Sequence, residues 1–253
     1  MTGAITVAVS GAKGRMGREV VAAVGAEPDL ALVAEIDLGD SLADVLAQVR
    51  PLAVVDFSVP GAVMGNIETA LTNGVVPIVG TTGLSPADVE HVRELCRRHR
   101  MGALVAPNFA IGAILMMRFA REAARYLPDA EIIEMHHEKK LDAPSGTAAK
   151  TAEMIAEGRA GLTPTVLPTG AFEKIAGARG GKGVGDVPVH SVRLPGFVAS
   201  QMVLFGGPGQ TLTLRHDSID RKSFMPGVIL AVRHAPMLAA NGGELVYGLE
   251  NLL

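Results

Sequence analysis

The sequence is poor in cysteine and in aromatic residues, and each shortage excludes a class of protein. A single cysteine, Cys96, among 253 residues rules out an intramolecular disulfide and a cysteine-based metal cluster. A reducing, cytoplasmic setting is therefore expected. The chain has no tryptophan and only two tyrosines, which argues against a stacking surface for nucleic-acid bases.

Long apolar runs and an excess of one charge are also missing. No stretch of 18 consecutive apolar residues occurs, and the first ten residues enter a strand pattern without a basic region. We therefore expect neither a membrane span nor an export signal. The net charge is −3 with acids and bases interspersed, so no nucleic-acid partner is expected. With 48% apolar residues, the chain can bury the core of one large or two smaller domains.

The first half of the chain alternates short β-branched runs with helical stretches. This alternation predicts a mostly parallel sheet covered by helices. Ser85 and Pro86 are typical of a helix start. The predicted strands are 5–10, 30–36, 53–57, 75–79 and 103–106, and the predicted helices are 15–24, 41–49, 61–73 and 86–100.

A different pattern follows Phe109 and predicts a second, α+β domain. A Met-rich helix over 111–126 leads to a strand, another helix and a Gly-rich stretch, 161–185, typical of a mobile loop. Strands predicted at 189–194, 197–205 and 211–216 are separated by turns, which indicates antiparallel meanders. A further helix is predicted within 221–238, before a short tail at 244–251.

A glycine-rich turn follows the first predicted strand and opens a helix, which is the context of a dinucleotide fingerprint. Its spacing, Gly11-x-x-Gly14-x-x-Gly17, departs from the commoner form. An acid near the end of the next strand favours NAD through the ribose hydroxyls. Asp37 is preferred because it is nearer the strand end, although Glu35 lies on the same strand face and stays an alternative.

The stretch from Glu131 to Ala148 combines acids, bases and amide donors around one turn. It predicts a strand, a loop and a helix N-terminus, where the backbone N–H groups of Ser145, Gly146 and Thr147 can bind a carboxylate or phosphate. Lys140 adds a positive charge nearby. A metal site at His136, His137 and Glu138 is the rival interpretation, but adjacent strand residues point to opposite faces and a second spaced histidine is missing, so no metal is expected.

Together these motifs resemble the 4-hydroxy-tetrahydrodipicolinate reductase family, also called dihydrodipicolinate reductases. The residues from His136 to Ala148 match the family pattern His-His-x-x-Lys-x-Asp-Ala-Pro-Ser-Gly-Thr-Ala, and the resemblance runs through the whole chain. Three earlier segments match the family's cofactor-binding segments in the same order: 11–17, 80–83 and 106–109.

The resemblance implies a Rossmann-like dinucleotide-binding domain at 1–108 and 217–253. It also implies a second α+β domain at 109–216, with a mixed or antiparallel sheet, for substrate binding and tetramerisation. The implied reaction is reduction of 4-hydroxy-tetrahydrodipicolinate to tetrahydrodipicolinate by NADH or NADPH, in lysine and diaminopimelate biosynthesis. A homotetramer is implied as well.

Roles follow for individual residues. His136 is the implied general acid, Lys140 the second catalytic residue, and His137, Ser145, Gly146 and Thr147 bind the dicarboxylate substrate. Glu134 and Asp142 are expected to shape the loop and orient the bases. The residues expected to bind the cofactor are Gly11, Ala12, Lys13, Gly14, Arg15, Met16, Asp37, Gly80, Thr81, Thr82, Ala106, Pro107, Asn108 and Phe109.

Two other functions remain open on the nucleotide half alone. One is another two-domain dehydrogenase, acting on an aspartate-derived aldehyde or a sugar. The other is a nucleotide-sensing regulator, which would keep the glycine turn. Neither needs the paired His136 and Lys140 beside an anion site, so both are disfavoured.

Overall fold

The computed structural model describes residues 3–253, and they form two compact units. One unit extends to Ile111 and resumes at Arg221–Leu253, and the other is Gly112–Asp220. Strands and helices are numbered below along the whole chain. The sequence-based boundaries, 108/109 and 216/217, lie slightly earlier at both crossings.

The first unit is built around a six-stranded parallel sheet with helices packed against it, which confirms the Rossmann-like prediction. In the order β11-β5-β4-β3-β1-β2, its strands are Leu245–Tyr247, Ala103–Val105, Val76–Val79, Ala53–Asp56, Ile5–Ser10 and Leu30–Ile36. Its helices are α1 Arg15–Ala26, α2 Leu42–Val49, α3 Val63–Thr72, α4 Pro86–His99, α7 Met225–Arg233 and α8 Ala235–Ala240. Short 3₁₀ helices cover Arg221–Phe224 and Leu249–Leu252.

The local sequence explains why these elements form where they do. β3 and β4 are buried along their whole length, as expected for parallel strands covered on both faces. Helix α4 begins with Pro86 after a capping box, in which Ser85 accepts from the Asp88 N–H and Asp88 accepts from the Ser85 N–H.

The second unit contains a five-stranded mixed sheet in the order β10-β9-β6-β8-β7. These strands are Gln210–Ser218, Ala199–Gly207, Asp129–His136, Pro188–Arg193 and Gly181–Lys182. Helix α5 is Ile111–Ala123, helix α6 is Gly146–Gly158, and a 3₁₀ helix covers Val184–Asp186. Little regular structure is present between α6 and β7.

The predicted meander of β8, β9 and β10 is wrong in one respect. β9 and β10 do form an antiparallel hairpin, but β6 lies between β8 and β9 and pairs in parallel with β8. The reason is the connection: β6 reaches β8 through helix α6, and a crossover of that kind joins parallel neighbours.

Helices α5 and α6 cover one face of this second sheet. Their apolar residues pack against Ile132 of β6 and against Val203 and Phe205 of β9, all three almost completely buried. On the opposite face, Ile133, Met202 and Leu204 are only half-buried. One face of this sheet is therefore covered by helices, and the other is partly exposed.

The helical stretch Arg221–Ala240 is the one segment, among the described residues, long and apolar enough by composition to cross a membrane, with mean hydropathy 1.2. Within the first unit its α7 portion packs against α1, and Val228, Ala231 and Val232 are fully buried. This stretch is accounted for as core helices of the first unit.

Candidate active site

The glycine turn between β1 and α1 is packed too closely for any side chain. Gly11 has φ +76°, and a Cβ there would lie 2.5 Å from the Phe57 carbonyl oxygen. A Cβ on Gly17 would lie 2.0 Å from the Gly11 carbonyl oxygen. Both positions therefore require glycine if β1, α1 and the turn are to keep this geometry.

The backbone N–H groups of this turn divide into those already bonded and those left for a ligand. Gly11 and Ala12 both donate to the Ile36 carbonyl, at 2.9 and 3.1 Å. Gly14 caps α1 without a side-chain hydrogen bond, and the first turn of α1 contains no acid. The backbone N–H groups of Arg15 and Met16, at the positive N-terminal end of α1, are therefore suited to bind a pyrophosphate.

Asp37 lies directly against the glycine turn. Its carboxylate accepts from the Lys13 N–H at 2.6 Å and from the Leu38 N–H at 2.8 Å. These bonds, from Leu38 first and then Lys13, hold the pKa of Asp37 below its ordinary value. Glu35 is exposed on β2. The geometry thus favours Asp37 over Glu35 as the acid beside a bound ribose.

A buried carboxylate, Asp56, organises the neighbouring strand ends and was missed by the sequence analysis. It is 2% exposed and accepts from the Ser58 N–H and hydroxyl, from Asn66 Nδ2 at 2.7 Å and from the Thr81 hydroxyl at 2.6 Å. Because the Thr81 hydroxyl has one proton, this bond uses it. Thr82, next along the chain, is exposed.

The segments after β3 and β5 meet at an aromatic contact, and Gly80 after β4 packs against it. The Phe57 and Phe109 rings lie 5.8 Å apart, and a Cβ on Gly80 would lie 2.2 Å from the Phe57 ring. Since all these strands are parallel, their carboxyl ends share the sheet edge at which nucleotides bind in this kind of fold. Of the three residues before Phe109, Ala106 is buried, Pro107 is exposed and Asn108 is half-buried.

In the second unit, Glu134 is the centre of the candidate catalytic site. Its side chain is completely buried on β6. One oxygen accepts from the Ser145 N–H at 3.2 Å and from Arg193 Nη2 at 2.7 Å, and the other accepts from Arg193 Nη1 at 2.8 Å and contacts His136 Nδ1. Burial alone would raise the pKa of Glu134, but hydrogen bonds from Arg193, Ser191 and His136 outweigh it and lower the pKa.

His136 ends β6 with its ring oriented by that carboxylate. Nδ1 contacts Glu134, so Nε2 is the nitrogen left for a substrate. Burial lowers the pKa of His136, and the nearby charges of Lys140 and Arg193 act in the same direction, while Glu134 opposes them. The net shift of the pKa is downward, so the surroundings of the ring disfavour the imidazolium in the free protein.

Lys140 is already paired in this structure. Its ammonium donates to both carboxylate oxygens of Asp142, at 2.7 and 2.9 Å. Hydrogen bonding from Lys140 lowers the pKa of Asp142. The ammonium is also close enough to His136 to affect its pKa. The two predicted catalytic residues therefore lie in one electrostatic environment.

The expectation that the Ser145 N–H is free to bind a ligand is wrong, because this group donates to buried Glu134. The Ser145 hydroxyl caps α6 by accepting from the Ala148 N–H at 3.2 Å. Ser145 is itself buried, at 3% exposure. Space above Gly146 is open, and the first-turn N–H groups at Gly146 and Thr147 face the same helix end.

His137 follows β6 and contributes a buried, unsatisfied polar atom. Its Nδ1 has no hydrogen-bond partner among the residues that the structure describes. A buried polar atom of this kind is costly unless a ligand or water satisfies it. Within residues 3–253, no group of three or more His, Cys, Asp or Glu side chains is arranged to hold a metal ion.

Comparison with known proteins gives a consistent result over the whole length. Family models described as the N-terminus and the C-terminus of dihydrodipicolinate reductase match residues 5–109 and 112–253. The curated 4-hydroxy-tetrahydrodipicolinate reductase of Desulfitobacterium hafniense (strain DSM 10664 / DCB-2) is 49% identical over 98% of both chains. That of Moorella thermoacetica is 47% identical over 100% of this chain and 99% of its own.

Solved structures show the same relationship. The dipicolinate-bound dihydrodipicolinate reductase from Paenisporosarcina sp. TG-14 is 41% identical, with a TM-score of 0.85 over 99% of this chain and 100% of that chain. A probable dehydrogenase from Thermotoga maritima, 12% identical with a TM-score of 0.63, is similar in fold alone. The two family models and the near-full-length relatives together show that this chain belongs to the dihydrodipicolinate reductase family.

Proposed function

We propose that this protein reduces 4-hydroxy-tetrahydrodipicolinate, in its dehydrated form, to tetrahydrodipicolinate for lysine and diaminopimelate biosynthesis. The observation that carries the proposal is the Glu134-oriented His136 beside Lys140 and the N-terminus of α6. This arrangement combines a proton donor with groups that bind anions, as reduction of an unsaturated dicarboxylate requires. NADH or NADPH supplies the hydride.

His136 is the group suited to deliver the proton that balances hydride addition. Hydride transfer to the substrate leaves electron density that must be protonated, and the protonated imidazole gives up a proton near neutral pH. In the free protein its pKa is lowered mainly by burial. A bound dicarboxylate adds negative charge beside the ring and favours the imidazolium. The kcat of the enzyme should therefore fall as the pH rises through the pKa of His136 in the substrate complex.

Substrate binding is assigned to the positive groups around the same loop. Lys140 attracts one carboxylate, and the first-turn amides at Gly146 and Thr147, with the Ser145 hydroxyl, bind the other. The unsatisfied Nδ1 of His137 is a further donor or acceptor for it. The relative from Paenisporosarcina is described with dipicolinate bound, which is a dicarboxylate of similar outline. We expect Lys140→Ala to act mainly on KM and His136→Ala mainly on kcat.

The cofactor is assigned to the glycine-turn edge of the first unit. Asp37 accepts hydrogen bonds from the ribose hydroxyls of NADH, whereas Lys13 and Arg15 in the turn offset the repulsion of an NADPH phosphate. We therefore expect both cofactors to be used. Steady-state kinetics with each one test this, and a preference above about a thousandfold, roughly 4 kcal/mol, would show that one recognition element dominates.

A cytoplasmic homotetramer is proposed, with the second unit supplying the subunit contacts. The support is the open face of its sheet, on which Ile133, Met202 and Leu204 are half-buried, because sheets with such faces can pack against each other. Sedimentation velocity tests the assembly state. Leu204→Asp should shift a tetramer to smaller species, and a wild-type monomer would contradict the assignment.

The reaction itself is tested by cofactor oxidation coupled to the enzyme that produces the unstable substrate. Substrate-dependent oxidation of NADH or NADPH supports the proposal. Turnover only with an aspartate-derived aldehyde or a sugar would indicate another dehydrogenase, and cofactor binding without any turnover would indicate a nucleotide sensor.

A further inference from the structure

Arg193 contacts both strand β6, at Glu134, and the loop that follows it, at Asp142, and it belongs to no motif in the sequence. It ends β8 and lies opposite His136 in the parallel β6–β8 pairing. Its two terminal nitrogens form a fork on the Glu134 carboxylate, at 2.7 and 2.8 Å. One of them also donates to the Asp142 carbonyl oxygen at 2.7 Å.

Glu134 depends on this fork. A completely buried carboxylate is costly unless it is paired and hydrogen-bonded. Here Arg193 supplies the paired charge, while the Ser145 N–H, the Ser191 side chain and His136 Nδ1 add further hydrogen bonds to the carboxylate. The carboxylate therefore stays ionised and fixed in orientation at the point where it meets the imidazole ring.

We propose that Arg193 and Glu134 are positioning residues for catalysis, Glu134 by fixing the His136 ring and Arg193 by fixing both Glu134 and the loop that carries Lys140. The inference rests on the proposed function, since it takes His136 as the acid and Lys140 as a substrate-binding group. It adds a specific division of labour: the bonds from Arg193 to Glu134 act on proton delivery, and the bond from Arg193 to the Asp142 carbonyl acts on substrate binding.

The contact between Arg193 and Glu134 affects the pKa of His136 in a direction that can be predicted. The charged groups that act on the His136 ring are Glu134 on its own strand, Arg193 on β8 and Lys140 in the loop, whereas its β9 neighbour is the uncharged Ala199. Removing the Glu134 charge leaves two cations beside the ring and disfavours the imidazolium. Removing the Arg193 charge eliminates one repulsion of the ring. The buried Glu134 carboxylate then has the imidazolium as its nearest remaining cation, and this favours protonation of the ring.

The hydrogen bond from Arg193 to the Asp142 carbonyl fixes the backbone of the loop. The Asp142 carbonyl is held by Arg193, and the Asp142 side chain is held by Lys140, two residues earlier. Loss of the guanidinium removes the hydrogen bond to this carbonyl. The backbone between Lys140 and the N-cap of α6 is then no longer held in one conformation. The groups that bind the two substrate carboxylates would then no longer be held at a fixed separation.

The test uses the intact protein and two substitutions, Glu134→Gln and Arg193→Met. NMR titration of histidine ring carbons in the substrate-free protein, with His136 assigned through its own substitution, reports the pKa directly. We expect that pKa to fall by about one unit or more in Glu134→Gln and to rise by about one unit in Arg193→Met. Arg215→Met is the matched control, because it breaks an exposed Arg–Asp217 pair in the same unit.

Steady-state kinetics separate the effect on proton delivery, seen in kcat, from the effect on substrate binding, seen in KM. Glu134→Gln should lower kcat about tenfold or more at neutral pH and move the falling limb of the pH profile to lower pH. Arg193→Met should raise the substrate KM about tenfold, and Arg193→Lys, which keeps the charge without the fork, should recover part of that loss. Arg215→Met should leave both constants within about twofold of wild type.

Opposite shifts of the His136 pKa together with this kcat and KM split support the proposal. Shifts in the same direction, or none, overturn it, because a purely structural role for Arg193 predicts no such pair of signs. If Arg193→Met does not fold, the proposal is tested by the fall of the His136 pKa in Glu134→Gln and by the rise of the substrate KM in Arg193→Lys. The titration needs no substrate, so an inactive wild-type protein would overturn the proposed reaction separately.

Discussion

The pairing of Lys140 with Asp142 makes a specific prediction about substrate affinity. In the free protein both oxygens of Asp142 accept from the Lys140 ammonium. A substrate carboxylate that binds Lys140 must compete with this internal carboxylate. The change Asp142→Asn removes the competing charge while it keeps the size of the side chain and the backbone carbonyl that Arg193 holds. We therefore expect tighter substrate binding in the variant.

The magnitude follows from the exposure of the pair. The Asp142 side chain is 63% exposed and that of Lys140 is 22% exposed, so solvent screens the attraction. Exposed ion pairs of this kind contribute about 0.2–1 kcal/mol. Removing the competitor should therefore improve the affinity of Lys140 for a substrate carboxylate by at most about fivefold, since 1.4 kcal/mol corresponds to about tenfold. The stability of the protein should change by less than about 1 kcal/mol.

Calorimetric titration with dipicolinate, alongside steady-state kinetics, measures this effect. Asp217→Asn is the matched control because Asp217 also accepts from a basic side chain, Arg215, in the same unit. It should leave the dissociation constant unchanged. If Asp142→Asn instead weakened dipicolinate binding severalfold, Asp142 would be orienting Lys140 toward the substrate, and the competition argument would be refuted.

Three further predictions concern the first unit. Gly17→Ala should lower the free energy of unfolding by about 1–3 kcal/mol and impair NADH binding, because its Cβ would collide with the Gly11 carbonyl. Chemical denaturation measures this, and a destabilisation no greater than that of Gly25→Ala, where the space is open in the same helix, would contradict it. Ser85→Ala should remove the capping box of α4 and cost about 1 kcal/mol, again by denaturation; an unchanged midpoint would oppose it. Burial raises the pKa of the Cys96 thiol to about 11, so a thiol reagent should modify it only on unfolding, and rapid labelling of the native protein would argue otherwise.

The sequence predicted five of the six strands of the first sheet, and the reason is physical; β11, in the stretch expected to be a short tail, was missed. β1 and β2 were predicted to the residue, Ile5–Ser10 and Leu30–Ile36. Each is a largely apolar run that stops before a turn residue, Gly11 or Asp37. β1 is central and buried from Val7 to Ser10, as a parallel strand covered on both faces requires, whereas β2 at the sheet edge is only partly buried. The start of α4 was similarly marked by Ser85 and Pro86, since capping chemistry is local.

Strand neighbours in the second unit could not be predicted in the same way. Periodicity shows that β6, β8 and β9 are strands, but it carries no information on which edges pair. The turn between β8 and β9 suggested adjacency, whereas the structure places β6 between them. That choice depends on the crossover through α6 and on the packing of its apolar face, which are tertiary effects.

The candidate site shows the same division. The residues from His136 to Thr147 are contiguous, so a motif could indicate them. Arg193 is 59 positions from its partner Glu134, and no local spacing connects the two. The use of the Ser145 N–H by Glu134 was also undetectable, because it depends on a completely buried carboxylate reaching the helix start. Asp56 left only a weak signal, an acid that ends a fully apolar strand.

The role of His136 as proton donor in this reduction is tested by substrate-dependent NADH oxidation by the wild-type protein and by His136→Ala, with the substrate generated in the assay. We expect turnover by the wild-type protein and a loss of about 10²–10⁴-fold in kcat for the folded variant, with NADH binding unchanged. Near-normal turnover by a folded His136→Ala protein would contradict the assignment of His136 as the proton donor.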